Sequence, residues 1–448
     1  MLRSVLTIGI FVIEVTCFLH RQRPPVRQAN HHLRSQLYET QTHQQWQSHV
    51  STHPVATSAL EKVMEEITGE NKEENDDGDD NHNVAFLFVG QTHADDFETL
   101  VELASKRFPR LVTVLGGGVI GERVELDEPS RPCLSLLTGK LPDGAKMEFY
   151  TDTKEILSST SGSYLLLADP WSAEIESVMT TLSQADDSVV AGGISCPQSA
   201  RQPSLALDGK ILEPGSILGV KFSGSIGFQT LVAQGCRPVG EGFTITQVAN
   251  GNIITKLNGE PALEVLQQLA NSAAPEEQEQ ISSGLLCGIA SPGQEDYLSR
   301  QIVGFVPAAG GIAIGASVQK GDSFCFQVRD KSTAQHDLEL MVQRAKTARI
   351  FEESQALPMA ALQISCVARG RGLFGIPNVD ITQVQELLNG GPVAGFYANG
   401  EIGPVGISGF NGSGGECFLH GFTTVAAILC EYPTDKIAQS NSLMDAWE

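Results

Sequence analysis

A few residues in this sequence have the types and surroundings to do chemistry. Arg237 stands directly before Pro238, whose ring fixes φ, so its guanidinium is presented on a stiff stretch of backbone. That planar fork takes a carboxylate bidentately, which suits an amino-acid-like ligand. The competing reading is a structural ion pair to an acid such as Glu401. Cys366 closes an apolar run, with Arg369 three residues on. A neighbouring guanidinium would draw the thiol toward a reactive thiolate, whereas a small buried thiol would be inert core. Arg369-Gly370-Arg371-Gly372 sets two cations between glycines, either as an anion loop or as a solvated turn. Glu401 follows Gly400, and His420 precedes Gly421. Cys366, His420 and Glu401 can be drawn as nucleophile, base and orienter, although nothing in the sequence sets their geometry. The expected ligand-binding set is Arg237, Cys366, Arg369, Gly370, Gly400 and Glu401. No catalytic residue, metal ligand or cofactor is assigned.

The elements that must position these residues recur along the chain. Val84 to Val89 is a continuous apolar run of strand length, Asp95 to Arg107 has helical spacing, and Leu111 to Leu115 is a β-branched strand broken by Gly116-Gly117-Gly118. The same order returns at 164–168, 172–182 and 188–191, and again at 361–368, 381–388 and 392–396. Two copies end on a Gly-x-x-x-x-Gly-Glu spacing, one at Gly116 to Glu122 and one at Gly395 to Glu401. A phosphate loop needs Lys after its last glycine, and a Glu there repels phosphate. The spacing therefore argues for internal duplication, with Glu122 expected as the structural echo of Glu401. The predicted fold is α/β, with mixed sheets covered by helices in two related lobes, 84–240 and 241–432, and a tail over 433–448.

Of the 448 residues, 41% are hydrophobic and 6% aromatic, enough for a sizeable core in a turn-rich α/β protein. A net charge of -23 argues against nucleic acid, which needs a basic face. The cysteines are scattered singly with no Cys-x-x-Cys pair, so a zinc knuckle or thioredoxin-type site is not supported.

Arg3 followed by the apolar Val5 to Ile13 and by Val15-Thr16-Cys17 reads as a signal-peptide-like segment over 1–17. Residues 18–55 follow as a basic, acid-poor, transit-peptide-like stretch. The combination points to a plastid address, with secretion as the alternative and no membrane anchor expected after processing. Glu61 to Asp80 holds ten carboxylates against two lysines, and 56–83 reads as a disordered acidic linker. On this reading residues 1 to about 83 lie outside the fold, His49 and His53 among them.

Three stretches resemble the FIST family (F-box and intracellular signal transduction). They are Val232-Ala-Gln-Gly-Cys-Arg-Pro-Val-Gly240 with Leu257 to Leu263, Ser365 to Gly370 with Leu373-Phe-Gly375, and Gly395 to Gly403 closed by Leu419 to Thr424. The resemblance covers about 84–432 and implies a sensory protein that binds a small ligand, with an amino acid as one candidate. It also implies a signalling partner protein. No F-box, kinase or receiver segment is read in this chain, which puts a ubiquitin-pathway role in doubt. An enzyme with Cys366 as nucleophile and a scaffold acting through its surface remain the other readings.

Overall fold

The structure, a computed structural model, describes residues 45–69, 84–158, 161–185, 188–294, 296–351, 356–410 and 414–432. Three repeats of one unit account for most of them. The first runs β1 (Trp46–Ser51), α1 (Ala56–Gly69), β2 (Val84–Val89), α2 (Phe97–Ser105), β3 (Leu111–Leu115), the hairpin β4 (Val119–Gly121) and β5 (Val124–Leu126), then β6 (Leu134–Gly139). The second runs β7 (Ala145–Tyr150), α3 (Thr153–Ser158), β8 (Ser163–Ala168), α4 (Ile175–Ser183), β9 (Val189–Ile194), the hairpin β10 (Leu205–Leu207) and β11 (Lys210–Ile211), then β12 (Ile217–Gly224).

The third repeat opens with β13 (Ile226–Ala233) and is then interrupted. The insertion comprises β14 (Cys236–Ala249), β15 (Ile253–Leu257), β16 (Glu260–Pro261), α5 (Ala262–Ser272), α6 (Pro275–Gly284), β17 (Leu285–Ala290), β18 (Leu298–Val306), β19 (Gly311–Ile314) and β20 (Ser323–Arg329). The repeat resumes with α7 (Lys331–Phe351), β21 (Leu357–Cys366), a single turn α8 (Gly370–Phe374), α9 (Val379–Leu387) and β22 (Val393–Ala398). It ends with β23 (Glu401–Gly403), β24 (Ile407–Ser408), β25 (Phe418–His420) and β26 (Thr424–Glu431).

Each repeat builds a sheet around one parallel pair: β2 with β3, β8 with β9, and β21 with β22. The repeat's first and last strands flank that pair, giving β1-β6-β2-β3, β7-β12-β8-β9 and β13-β26-β21-β22. The hairpins leave home. β4–β5 of the first repeat completes the third sheet, β10–β11 of the second completes the first, and β23 with β25 of the third completes the second. The exchange is cyclic, so the three sheets enclose one shared core. Phe86, Phe88, Leu165, Phe222, Leu362 and Phe396 meet in it, and Phe88 stacks on Phe396 with ring centroids 5.7 Å apart.

The parallel-pair strands are buried on both faces, which explains their unbroken apolar runs. Helices cover the outer faces: α1 and α2 over the first sheet, α3 and α4 over the second, α7 and α9 over the third. The insertion is an antiparallel barrel in the order β14-β20-β17-β18-β19-β15, closed by pairing of β14 with β15. Phe324 and Phe326 meet edge to face in its core, with centroids 4.8 Å apart.

The expected α/β class with mixed, helix-covered sheets holds, and the recurring strand–helix–strand unit is its building block. The boundary expected between two lobes, at 240 and 241, falls inside β14. The expectation that residues up to about 83 lie outside the fold is corrected for the part described. Trp46–Ser51 pairs antiparallel with β6. The segment Ala56–Gly69 is an amphipathic helix burying Ala56, Ala59, Leu60, Val63 and Ile67, a 3.6-residue stripe, while Glu61 and Glu65 face solvent. A transit segment running to 55 would cut away a strand of the sheet. The signal-like segment and residues 70–83 of the acidic stretch lie outside the described residues. Among the described residues no helix is long and apolar enough to cross a membrane.

Candidate functional site

Most of the expected site residues converge beyond the ends of β21 and β22, but as a sealed polar network and not as an open cleft. Arg369 is buried to 1% exposure. Its Nε and Nη2 each donate at 2.8 Å to the two carboxylate oxygens of Asp380, in the first turn of α9, and Nη1 donates at 3.4 Å to the Phe422 carbonyl. The guanidinium also lies 5.4 Å from the centre of the Phe374 ring. Burying this pair costs desolvation that only its bidentate geometry recovers, so removing either partner would cost about 3–5 kcal/mol. The expectation that Arg369 offers its fork to a ligand is corrected: Asp380 already holds it.

Glu401 opens β23 and is fully buried. Its Oε2 accepts from Thr423 Oγ1 at 2.7 Å and from Thr423 N at 3.2 Å, while Oε1 has no partner. Burial pushes its carboxyl up to about 8, against the opposing pull of Thr423 and the Arg369 charge. Glu125 of β5 behaves alike. Its Oε1 accepts from Ile381 N at 2.8 Å, its Oε2 is unpartnered, and burial with the Asp380 charge pushes it up to about 8. Tyr397 Oη is also buried without a partner. One cation thus faces three carboxyl groups from three elements, and burial disfavours the charged form of two of them, Glu125 and Glu401.

Gly370 lies at φ +59°, and a Cβ there would meet the Asp127 carboxylate and sit 2.6 Å from Tyr397 Oη. Its place in the network is therefore set by space and backbone conformation together. Gly400 is buried beside Ile194 and Leu419, its Cβ position 3.3 Å from each.

Cys366 is buried, and desolvation together with the neighbouring Glu401 carboxyl pushes its thiol up to about 12. The thiolate-activating role expected of Arg369 is not met, because that charge is spent on Asp380. His420 Nε2 pairs with the Gly403 carbonyl at 3.0 Å, and burial draws the imidazole down to about 4. A Cys366–His420–Glu401 relay is not assembled: Glu401 lies against both Thr423 and the Cys366 thiol, but the imidazole bonds backbone.

Arg237 lies apart, on the barrel. It donates to Glu277 at 3.0 Å and to Gln280 at 2.7 Å, both on α6, and approaches Asp330 at 4.0 Å. The structural ion-pair reading is the one met, with Glu277 as partner in place of Glu401. Arg371, the second cation of the loop, is exposed and pairs with Glu128 at 3.2 Å.

The register also corrects the relation between the two glycine turns. Leu115 and Ala398 occupy equivalent ends of their parallel pairs, opposite Val89 and Cys366. Glu401 pairs with Gly193, one residue before the corresponding end at Ile194. The residue that meets the equivalent Tyr397 in the first repeat's hairpin is Gly118, whose carbonyl accepts from Tyr397 N at 3.0 Å. Glu122 comes four residues later, half-exposed, and is not the counterpart of Glu401.

An open cleft lies elsewhere, between barrel and body. The barrel is joined to the body through Gln234–Gly235 on one side and Asp330 on the other, and these links bond each other, Asp330 N to Gly235 O at 3.2 Å. Beside them a cleft of about 230 Å³ is lined by Cys236, Asp296, Tyr297, Thr333, Asp337 and Arg344. It adjoins a second of about 340 Å³ that shares Asp296 and Val405. Asp337 accepts from Gln234 N at 2.6 Å, and burial pushes its carboxyl up. Arg344 is exposed and makes no ion pair among the described residues. Apart from Cys236, which falls in one of the family-like stretches, none of these was singled out in the sequence. Asp337 and Arg344 sit on α7 and Asp296 on a barrel loop, and nothing local marks them as neighbours.

Comparison with known proteins places this architecture. The FIST N domain model matches residues 83–260, and the FIST C domain model matches residues 262–404. Uncharacterized protein Rv0628c of Mycobacterium tuberculosis (strain ATCC 25618 / H37Rv) is 34% identical over 367 residues, covering 78% of this chain and 91% of that protein. Uncharacterized protein Mb0898c of Mycobacterium bovis (strain ATCC BAA-935 / AF2122/97) is 32% identical over 367 residues, covering 78% of this chain and 90% of the relative. With both domain models matched in order over most of its length, the chain belongs to the FIST family, whose domains are associated with sensing in signal transduction.

Proposed function

We propose that this protein is a small-ligand sensor whose ligand seats in the cleft between barrel and body. The observation that carries the reading is the lining of that cleft at the barrel's two links: the exposed Arg344 together with the acids Asp296 and Asp337. A guanidinium takes a carboxylate bidentately, and carboxylates take an ammonium group. The set therefore suits an amino-acid-like zwitterion, with Met341 and Tyr297 offering apolar surface.

The placement also supplies a route to a response. Gly235 packs against Arg369, its Cβ position 3.0 Å from Nη1. A ligand that draws the barrel toward the body moves a link resting on the buried network. A two-state element that binding biases is what a sensor requires. The competing enzyme reading has less support, since Cys366 is sealed and its thiol is pushed up to about 12.

Thermal-shift titration of the full chain against amino acids and small carboxylates tests the proposal. The expected result is a melting temperature that climbs with ligand concentration, with the climb lost in Arg344→Ala and reduced in Asp337→Asn. A variant Arg344→Ala that responds to every hit as the wild type does would remove this cleft as the binding site.

A further inference from the structure

The exchange of hairpins brings a histidine and two carboxylates from three separate elements to one point on the first sheet. His49 lies on β1, whose Trp46 and Ser48 point into the core. Strand alternation therefore turns His49 toward α1. Glu66 borders the buried stripe of α1, next to Ile67. Glu122 follows β4 with φ at +50°. Its N–H donates to Ser48 Oγ at 3.0 Å, its carbonyl accepts from Gln385 Nε2, and its Oε1 accepts from Val50 N at 2.9 Å.

His49 Nδ1 stands 3.5 Å from Glu66 Oε2 and 3.7 Å from Glu122 Oε1, and the three donor atoms lie within 4.8 Å of one another. Those separations are long for a charge-assisted hydrogen bond. They are close to the donor–donor edge of a tetrahedral site, roughly 3.4 Å for metal bonds near 2.1 Å. His49 Nε2 is buried without a partner, so the ring's polar contacts run through Nδ1.

We infer that His49, Glu66 and Glu122 bind a divalent first-row cation, with Zn²⁺ the best match to an imidazole and two carboxylates at tetrahedral spacing. Glu66 and Glu122 are 39% and 44% exposed in their side chains, which gives the ion a path from solvent. Glu122 also lines a cleft of about 240 Å³ with Lys62, Arg131 and Arg371. These cations keep the region from being a general acidic trap, so retention depends on the three donors and not on bulk negative charge. Three protein ligands leave a coordination position open, as in metal sites that exchange a water or a substrate atom.

The test is a titration of the chelator-treated full chain with Zn²⁺, followed by calorimetry and by melting temperature, and repeated with Co²⁺ for its absorption spectrum. One saturable site is expected, with the melting temperature rising as Zn²⁺ is added. Affinity should fall by about tenfold or more in His49→Gln and Glu122→Gln. Glu122→Gln keeps the comparison open if the less exposed His49 variant fails to fold. Equal affinity and stoichiometry in wild type and Glu122→Gln would overturn the inference. A thiolate-to-cobalt charge-transfer band would do the same by placing the metal on cysteine.

Discussion

At the scale of residues, the buried network makes a claim about pH. Glu125 and Glu401 have folded pKa values of about 8 against the ordinary carboxyl value of 4.5. Between those values the folded chain keeps protons that the unfolded chain releases, so stability falls as pH rises through the window and levels above it. His420 acts in the opposite sense. Burial lowers it from 6.5 to about 4, so its contribution is lost as pH falls through that range. The two effects oppose one another below 6.5, and the interval from 6.5 to 8 isolates the carboxyls. The urea midpoint should therefore decline across that interval, and Glu401→Gln should decline less steeply. An unchanged slope in Glu401→Gln would mean that the proton is held elsewhere. At this scale the sequence was partly legible. Cys366, Arg369, Gly370 and Glu401 stood out and do meet, but the partner that decides what Arg369 does, Asp380, sits on α9 with no local mark.

At the scale of elements, β1 and α1 show how composition can hide periodicity. Counted as a block, Glu61 to Asp80 is a run of acid. Read at 3.6-residue spacing, Ala56, Ala59, Leu60, Val63 and Ile67 form a stripe that the first sheet buries, and Glu61 and Glu65 ride the outer side of α1. Leu60 is fully buried, so Leu60→Ala should cost about 2–5 kcal/mol in denaturant unfolding. A chain beginning at residue 84 loses β1 as well, leaving β6 paired only with β2 and Gly139 without the Trp46 ring packed on it. Such a truncation should melt well below the full chain. Equal melting temperatures would restore the view that these residues are only an address. The strands of the parallel pairs were legible because burial on both faces writes an unbroken apolar run.

At the scale of the whole molecule, no repeat completes its own sheet. Each depends on a hairpin from another, so the three should unfold together in one transition. The barrel stands outside that cycle. Its entry and exit links bond one another, so replacing residues 236–329 with a short Gly-Ser bridge leaves the surrounding chain ends already in place. The excised protein should retain a single cooperative melt while losing the ligand response assigned to the cleft. Loss of the cooperative transition would show that the barrel is part of the body's stability.

By itself the sequence determined the recurring strand–helix–strand unit and the α/β class, because apolar runs of strand length and 3.6-residue periods record what each element buries, while the family was legible only through the three motif stretches that resemble it. It did not determine how the copies are joined. The pairing of Ala394 with Gly121 and of Glu401 with Gly193 links segments far apart in the chain. Backbone hydrogen bonds of that kind are indifferent to side-chain type, so they leave little local trace. Only the tertiary structure decided that Glu401 answers to Gly118 and not to Glu122. It also decided that Arg369 is neutralised by Asp380, and that an open cleft lies at the barrel's links.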